Sequence, residues 1–318
     1  MGAWERSAEG EAKGVALVVP TRNAGPRWDR WLEAFRQQTL RPERLVLLDS
    51  GSTDGTPEKA QKYGFEVWNV PPGAFDHGGT RQMALEALTD ARILVYMTQD
   101  AVLASPEALE KLLQAFADPK VGAAYGRQLP RPGARPSEAH LRHFNYPPTP
   151  SVSDLEVAKT RGLKAAFLSN SFAAYRRTAL EGVGGFPRRI VMGEDAVAGA
   201  KLLLGGWRIA YQAEAMVYHS HGYTPWQEFR RYFDIGAFHA QESWMLERLG
   251  KPEGEGLRYV RSELAFLWRN APLAIPEALL RLPLKYLGYR LGRKQARLPL
   301  WLKRRLSANP AFWNGKGG

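Results

Sequence analysis

Val15–Pro20 reads VALVVP, and Thr21-Arg22-Asn23 follows at once. A short, continuous apolar run between a glycine and polar residues is the pattern of a strand buried on both faces, as in a parallel sheet. The pattern recurs. Arg44–Asp49 (RLVLLD), Phe65–Asn69, Ile93–Met97 (ILVYM) and Val121–Tyr125 read as further strands. Helical segments lie between them. These are Trp28–Gln38, with Trp31, Leu32 and Phe35 on one side, then Thr56–Tyr63, Gly79–Leu88, and Pro106–Ala117 with proline in its first turn. Strands alternating with helices predict an α/β fold with a Rossmann-like, mostly parallel sheet and helices on both faces. Such sheets bind ligands in the crevice beyond the carboxyl ends of their strands, so the polar residues after each strand carry the information.

Further along, the proline-rich stretch Arg127–Pro150 reads as one long loop, of the kind that is either functional or disordered. Ala165–Ala174 reads as a returning strand, Asp195–Leu204 as a helix, and Arg208–Tyr211 and Ala215–His219 as two short strands. Beyond Pro225 the chain is helical and aromatic. Trp226, Phe229, Tyr232 and Phe233 share one helix face, which reads as packing. The expected organisation is a flexible polar tail over 1–14, an α/β domain over 15–240, and a helical, basic extension over 241–318.

Three classes are set aside by composition. With no cysteine, the chain has neither disulfides nor thiolate metal sites. The N-terminal segment lacks the apolar core of a secretory signal. No apolar run approaches the length of about 18 residues that spans a bilayer. The expected location is therefore cytoplasmic. The formal net charge is +12, but Leu257–Leu306 alone holds twelve Lys/Arg against Glu263 and Glu277. The basicity belongs to one C-terminal segment, and no nucleic-acid motif accompanies it, so a nucleic-acid partner is not expected.

Three polar strand ends stand out: Pro20-Thr21-Arg22-Asn23, Asp49-Ser50-Gly51-Ser52-Thr53-Asp54-Gly55, and Thr98-Gln99-Asp100-Ala101. Singly, an Asp-Gly after a strand marks only a turn. On adjacent strands of one sheet, the three ends converge on one crevice. Asp54 reads equally as the N-cap of the next helix and as a ligand contact.

In order and spacing, PTRN (20–23), DSGSTDGT (49–56), FDHGGTR (75–81), TQDA (98–101), NSFAAYRR (170–177), GGF (184–186), GED (193–195) and VYHSH (217–221) resemble the inverting family 2 glycosyltransferases with the GT-A fold. The resemblance covers Val15 to His239. TQDA with GED and VYHSH is similar to bacterial rhamnosyltransferases that use dTDP-L-rhamnose. A UDP- or GDP-sugar donor and a non-catalytic nucleotide-sugar-binding protein are the alternatives. The resemblance implies a donor site built from Pro20, Thr21, Arg22, Asn23, Asp49, Gly51, Arg81, Gln99 and Asp100. In that site Asp49 accepts hydrogen bonds from base or sugar. Arg81, near a helix N-terminus, suits a diphosphate, and His77 shapes the loop before it.

Many members of the family carry Asp-x-Asp where this chain has Thr98-Gln99-Asp100, so the first acid is missing. The metal role implied by the resemblance passes to Asp100, with His219 or His221, which share one side of an extended strand. Mg2+ or Mn2+ is the expected cofactor, and an imidazole ligand suits Mn2+. Asp195 takes the part of general base, deprotonating an acceptor hydroxyl. Its neighbour Glu194 either orients the site or touches the acceptor. Asn170 and Ser171 either border the sugars or cap backbone. The expected partners are a nucleotide-sugar donor and a carbohydrate or lipid-linked acceptor.

The C-terminal segment mixes Leu, Trp and Tyr with Arg and Lys, as in Leu298-Pro299-Leu300-Trp301-Leu302-Lys303-Arg304-Arg305. Such a composition fits short interfacial helices on an anionic membrane surface. It equally fits a helical appendage with a solvated basic face. Pro272, Pro276, Pro283 and Pro299 argue against one long helix.

Overall fold

The computed structural model describes residues 4–314 apart from 8, 9, 72, 74, 252 and 253. The chain opens with β1 (Glu5–Arg6), β2 (Glu11–Thr21), α1 (Trp28–Arg36), β3 (Arg41–Asp49), α2 (Thr56–Gln61) and β4 (Glu66–Asn69). It continues through α3 (His77–Ala87), β5 (Ile93–Met97), β6 (Val102–Leu103), α4 (Ala108–Leu113), β7 (Val121–Leu129) and α5 (Pro136–Asn145). Then come β8 (Ser151–Ser153), α6 (Leu155–Arg161), β9 (Phe172–Arg176), α7 (Arg177–Gly182), α8 (Glu194–Leu204) and β10 (Arg208–Tyr218). Among the described residues there follow α9 (Pro225–Gln241), α10 (Ser243–Leu249), α11 (Glu255–Asn270), α12 (Ile275–Arg293) and α13 (Leu300–Leu306).

One sheet runs in the order β4-β3-β2-β5-β9-β7-β10-β6, with β1 on β2 and β8 on β10. It is parallel across β4, β3, β2 and β5, and again between β7 and β10. Between these halves β9 runs antiparallel to both neighbours, so the sheet is mixed. The apolar pattern of Phe172–Arg176 reads the same in either direction and could not report this. Alternation along the strands feeds two cores. Val18, Val46, Leu48, Leu94 and Tyr96 pack on one face, and Leu17, Val19, Leu47, Val95 and Met97 on the other. Helix α1 seats Trp28, Trp31, Leu32 and Phe35 in the second core, with the Trp28 and Trp31 rings stacked 4.8 Å apart.

Four local expectations change. Arg127–Pro150 is not one loop: β7 continues to Leu129, and α5 starts with Pro136 in its first turn, where the missing N–H costs nothing. The returning strand starts only at Phe172, after a 3-10 turn over Gly162–Ala166. The two strands at 208–219 form one, whose register against β7 slips between Gln212 and Met216. The tail over 1–14 falls partly outside the described residues, but Glu5 and Arg6 pair with Lys13 and Ala12 along the start of β2.

The C-terminal helices pack against the body. Leu306 and Trp313 join the first core, alongside Phe233 of α9. Helices α9 and α12 cross backbone to backbone: a Cβ on Gly292 would lie 2.0 Å from Phe233 O, and one on Gly288 2.5 Å from Phe229 O. Pro283 does not interrupt α12, which runs straight through it. The other prolines sit where a missing N–H is harmless: Pro272 opens a 3-10 turn, Pro276 lies in the first turn of α12, and Pro299 precedes α13.

Candidate functional site

The ends of β2, β3 and β5 are laced into one rim. Asp49 is buried, and its carboxylate accepts from Thr21 Oγ1 (3.2 Å), Ser52 Oγ (2.5 Å), Gly51 N (3.0 Å) and Ser52 N (2.8 Å). Gly51, at φ 81°, gives the turn a left-handed residue that brings both amides onto that carboxylate. Asn23 Oδ1 accepts from Thr53 N, and Asn23 N donates to Ser52 Oγ, each at 2.8 Å. Gln99 clamps the backbone of Arg22, accepting from its N–H and donating to its carbonyl. Asp54 neither caps α2 as an N-cap residue nor stands free. It accepts from Gly25 N, Thr56 N and Thr56 Oγ1, tying two loops together. Pro20 completes the rim at the end of β2.

Beyond Gln99 lies a second cluster. Asp100, in the turn that follows β5, faces His219 and His221 in the segment just after β10. Its Oδ2 is 3.4 Å from His219 Nε2 and 3.7 Å from His221 Nδ1. One ligand atom from each of the three lies within 4.8 Å of the other two, so the trio could hold a metal ion. Arg131 Nη2 lies 3.3 Å from the same Oδ2 and donates to Asp100 O at 2.7 Å. Burial disfavours charge on Asp100, but the His219 and His221 imidazoles beside it hold its carboxyl well below the usual range. Burial likewise lowers the His219 pKa and pushes His221 down to about 3, so both imidazoles are neutral.

The protonation of His219 follows from its other side. Gln128 Oε1, on β7, lies 2.8 Å from His219 Nδ1 and also accepts from Arg142 Nη1. Gln128 Nε2 donates to Ser169 Oγ at 2.8 Å. A guanidinium only donates, so the Gln128 atom facing Arg142 is the oxygen. That oxygen must then receive the Nδ1 proton of His219. The Nε2 lone pair is left pointing at the Asp100 carboxylate with no proton between them, which is the donor set a divalent cation requires. Gln128, Arg131 and Arg142 were not singled out in the sequence, because they lie in the stretch that read as a loop.

The third cluster sits at the start of α8. Gly193, at φ 81°, turns the chain so that Glu194 and Asp195 open the helix. Glu194 is buried; its Oε1 lies 3.1 Å from Arg81 Nη1 and accepts from Asn170 Nδ2 at 3.1 Å. Burial opposes its charge, but Arg81 and His77 keep it ionised. Asp195 accepts from Asn170 N (3.1 Å) and Ala196 N (2.8 Å). Burial and the adjacent Glu194 charge push its carboxyl up to about 7. Two neighbouring carboxyls with pKa values driven apart are the arrangement of acid–base sites. Arg81 sits in the second turn of α3, with its guanidinium buried between His77 O and Glu194.

A cavity of about 680 Å3 joins the second and third clusters. Its lining includes His77, Arg81, Asp100, Asn170, Ser171, Glu194, Asp195, His219 and His221. Thr21, Arg22, Asn23, Asp49, Gly51 and Gln99 are not among its lining residues; they form the neighbouring rim, which Gln99 joins to Asp100. Helices α9 and α12 supply the far wall through Arg231, Arg281 and Lys285.

The model of the glycosyl transferase family 2 matches residues 16–184. The chain belongs to glycosyl transferase family 2. It is 46% identical over 299 residues to the O-antigen chain rhamnosyltransferase WbaN of Salmonella anatum, covering 94% of this chain and 95% of that one. Its identity to the O-antigen chain rhamnosyltransferase RfbN of Salmonella typhimurium is 44% over 301 residues, covering 94% and 96%. Among solved structures, a mannosyltransferase of Pyrobaculum calidifontis in complex with GDP-Man and Mn2+ superposes with a TM-score of 0.53 at 22% identity, covering 95% of this chain and 85% of that one. The family 2 glycosyltransferase therefore has the GT-A fold and uses a nucleotide-sugar donor. Among its described residues, no helix is long and apolar enough to cross a membrane.

Proposed function

We propose that this family 2 glycosyltransferase transfers L-rhamnose from dTDP-L-rhamnose to a hydroxyl of a growing cell-envelope polysaccharide, with inversion and with a divalent cation. One observation carries the chemistry: Asp195, with its carboxyl near 7, lines the same cavity as the Asp100, His219 and His221 ligand set. The choice of rhamnose rests on likeness to the two O-antigen rhamnosyltransferases.

On this reading the rim of Pro20, Thr21, Arg22, Asn23, Asp49, Gly51 and Gln99 frames the nucleoside. Asp49 acts mostly by holding the Ser50-Gly51-Ser52 turn, since its own oxygens are already engaged. Asp100, His219 and His221 hold Mg2+ or Mn2+, which would neutralise charge on the departing diphosphate. Asp195 accepts the proton of the acceptor hydroxyl while that oxygen bonds to the anomeric carbon. The bond from that carbon to the diphosphate oxygen breaks on the opposite face, so configuration inverts. General-base help of this kind contributes roughly 10²–10⁴ in rate. Asn170 holds Asp195 and Glu194 in register through its backbone N–H and side-chain amide. Residues 15–240 supply the donor and catalytic groups, and the helices of 241–318 wall the acceptor side. The acceptor is a carbohydrate or a lipid-linked sugar.

Calorimetric titration with dTDP-L-rhamnose, UDP-glucose and GDP-mannose, each with Mn2+, tests the donor. Tightest binding of dTDP-L-rhamnose is expected. Preference for a UDP- or GDP-sugar would overturn the rhamnose assignment while leaving the catalytic groups in place.

A further inference from the structure

Helix α12 carries its apolar side outward. Leu279, Leu280, Pro283, Tyr286 and Leu287 recur at spacings of three and four and therefore line one face. All five are exposed, Leu280 and Tyr286 at 64% and 65%. Single exposed leucines are ordinary on any surface, but a continuous stripe calls for a partner. The opposite side of the helix is already committed. Gly288 and Gly292 seat it on the backbone of α9, and Arg281 is held there by Glu228 and by Glu277 of its own helix. The helix cannot rotate to bury the stripe without losing those contacts.

Charge selects the occupant. The stripe runs on into Arg290, Arg293 and Lys294, all exposed. The segment leading into α12 exposes Trp268 at 74% and Leu273 at 95%, and α13 exposes Trp301 at 65% beside Arg304 and Arg305. Between Leu257 and Leu306 there are twelve basic residues and two acidic ones. A second copy of the chain would bring like charges together. An anionic bilayer offers phosphates to the cations and an acyl boundary to the leucines.

We infer that α12 docks in the plane of an anionic lipid surface, with Leu279, Leu280 and Leu287 at the acyl boundary and Arg290 and Lys294 at the phosphates. This goes beyond the transfer reaction and does not depend on it. It has a consequence for supply: Glu277, Arg281 and Lys285 of the same helix line the cavity, so docking sets one cavity wall beside the headgroups.

Co-sedimentation of the full chain with vesicles tests the surface. Binding is expected to vesicles containing phosphatidylglycerol at low salt, to fall as salt is raised, and to be absent from pure phosphatidylcholine. Each cation removed in Arg290→Gln and Lys294→Gln weakens binding by about fivefold. Leu279→Ser with Leu280→Ser and Leu287→Ser keeps the net charge and alters only exposed positions, so folding survives. It is expected to weaken binding by about tenfold or more. Donor titration of each variant shows that the catalytic body is intact. The docking surface is overturned if the full chain ignores anionic vesicles at low salt, or if the leucine variant binds them as well as the unaltered chain. It is also overturned if light scattering without lipid shows a dimer that the leucine variant abolishes.

Discussion

Gln128 Oε1 lies 2.8 Å from His219 Nδ1 and takes a second hydrogen bond from Arg142. The glutamine thereby decides which imidazole nitrogen carries the proton and leaves bare the one that faces Asp100. Replacing it by leucine keeps much of the volume but removes the acceptor, and the His219 proton can then sit on either nitrogen. Gln128→Leu is expected to weaken Mn2+ affinity by about 10- to 100-fold. Electron paramagnetic resonance of free Mn2+, titrated with protein in the absence of donor, measures this. Unchanged affinity would show that the glutamine does not set the histidine.

The pair Glu194 and Asp195 makes a prediction about pH. Asp195 acts as a base only when deprotonated, and its carboxyl titrates near 7. With saturating metal, kcat/KM is expected to fall about tenfold per unit as pH drops below that value. Part of the elevation comes from the Glu194 charge. Glu194→Gln removes that charge, so the Asp195 pKa should drop and the acidic limb should move to lower pH. Asp195→Asn should abolish the limb and cut turnover by roughly 10²-fold. A limb that stays in place in Glu194→Gln would break the proposed coupling.

Much of the rim at the ends of β2, β3 and β5 was legible in the sequence because apolar runs end sharply at Pro20, Asp49 and Met97, and polar residues after buried strands must face a crevice. Asp100, Asp195 and the two histidines were legible only through their motifs. Nothing local distinguishes His219, beside Gln128, from His221 beyond it. Gln128 itself was hidden. After Tyr125 the strand loses its apolar run, because Gln128 is buried by partners distant in the chain, Ser169, Arg142 and His219, rather than by hydrophobic neighbours. The prolines misled for a related reason. Their effect depends on where each ring sits in a helix, and Pro283 is carried on the exposed face of α12. Strand direction was equally invisible for β9, whose pattern is symmetric.

The proposed chemistry rests on a cation at Asp100, His219 and His221 serving a nucleotide-sugar donor. Release of dTDP from dTDP-L-rhamnose, followed before and after excess EDTA and again on adding Mn2+, addresses it directly and needs no acceptor, since water can take the sugar slowly. The expected result is that release stops with EDTA and returns with Mn2+ in the unaltered chain, and that Mn2+ fails to restore it in Asp100→Ala. Undiminished release in excess EDTA would contradict it.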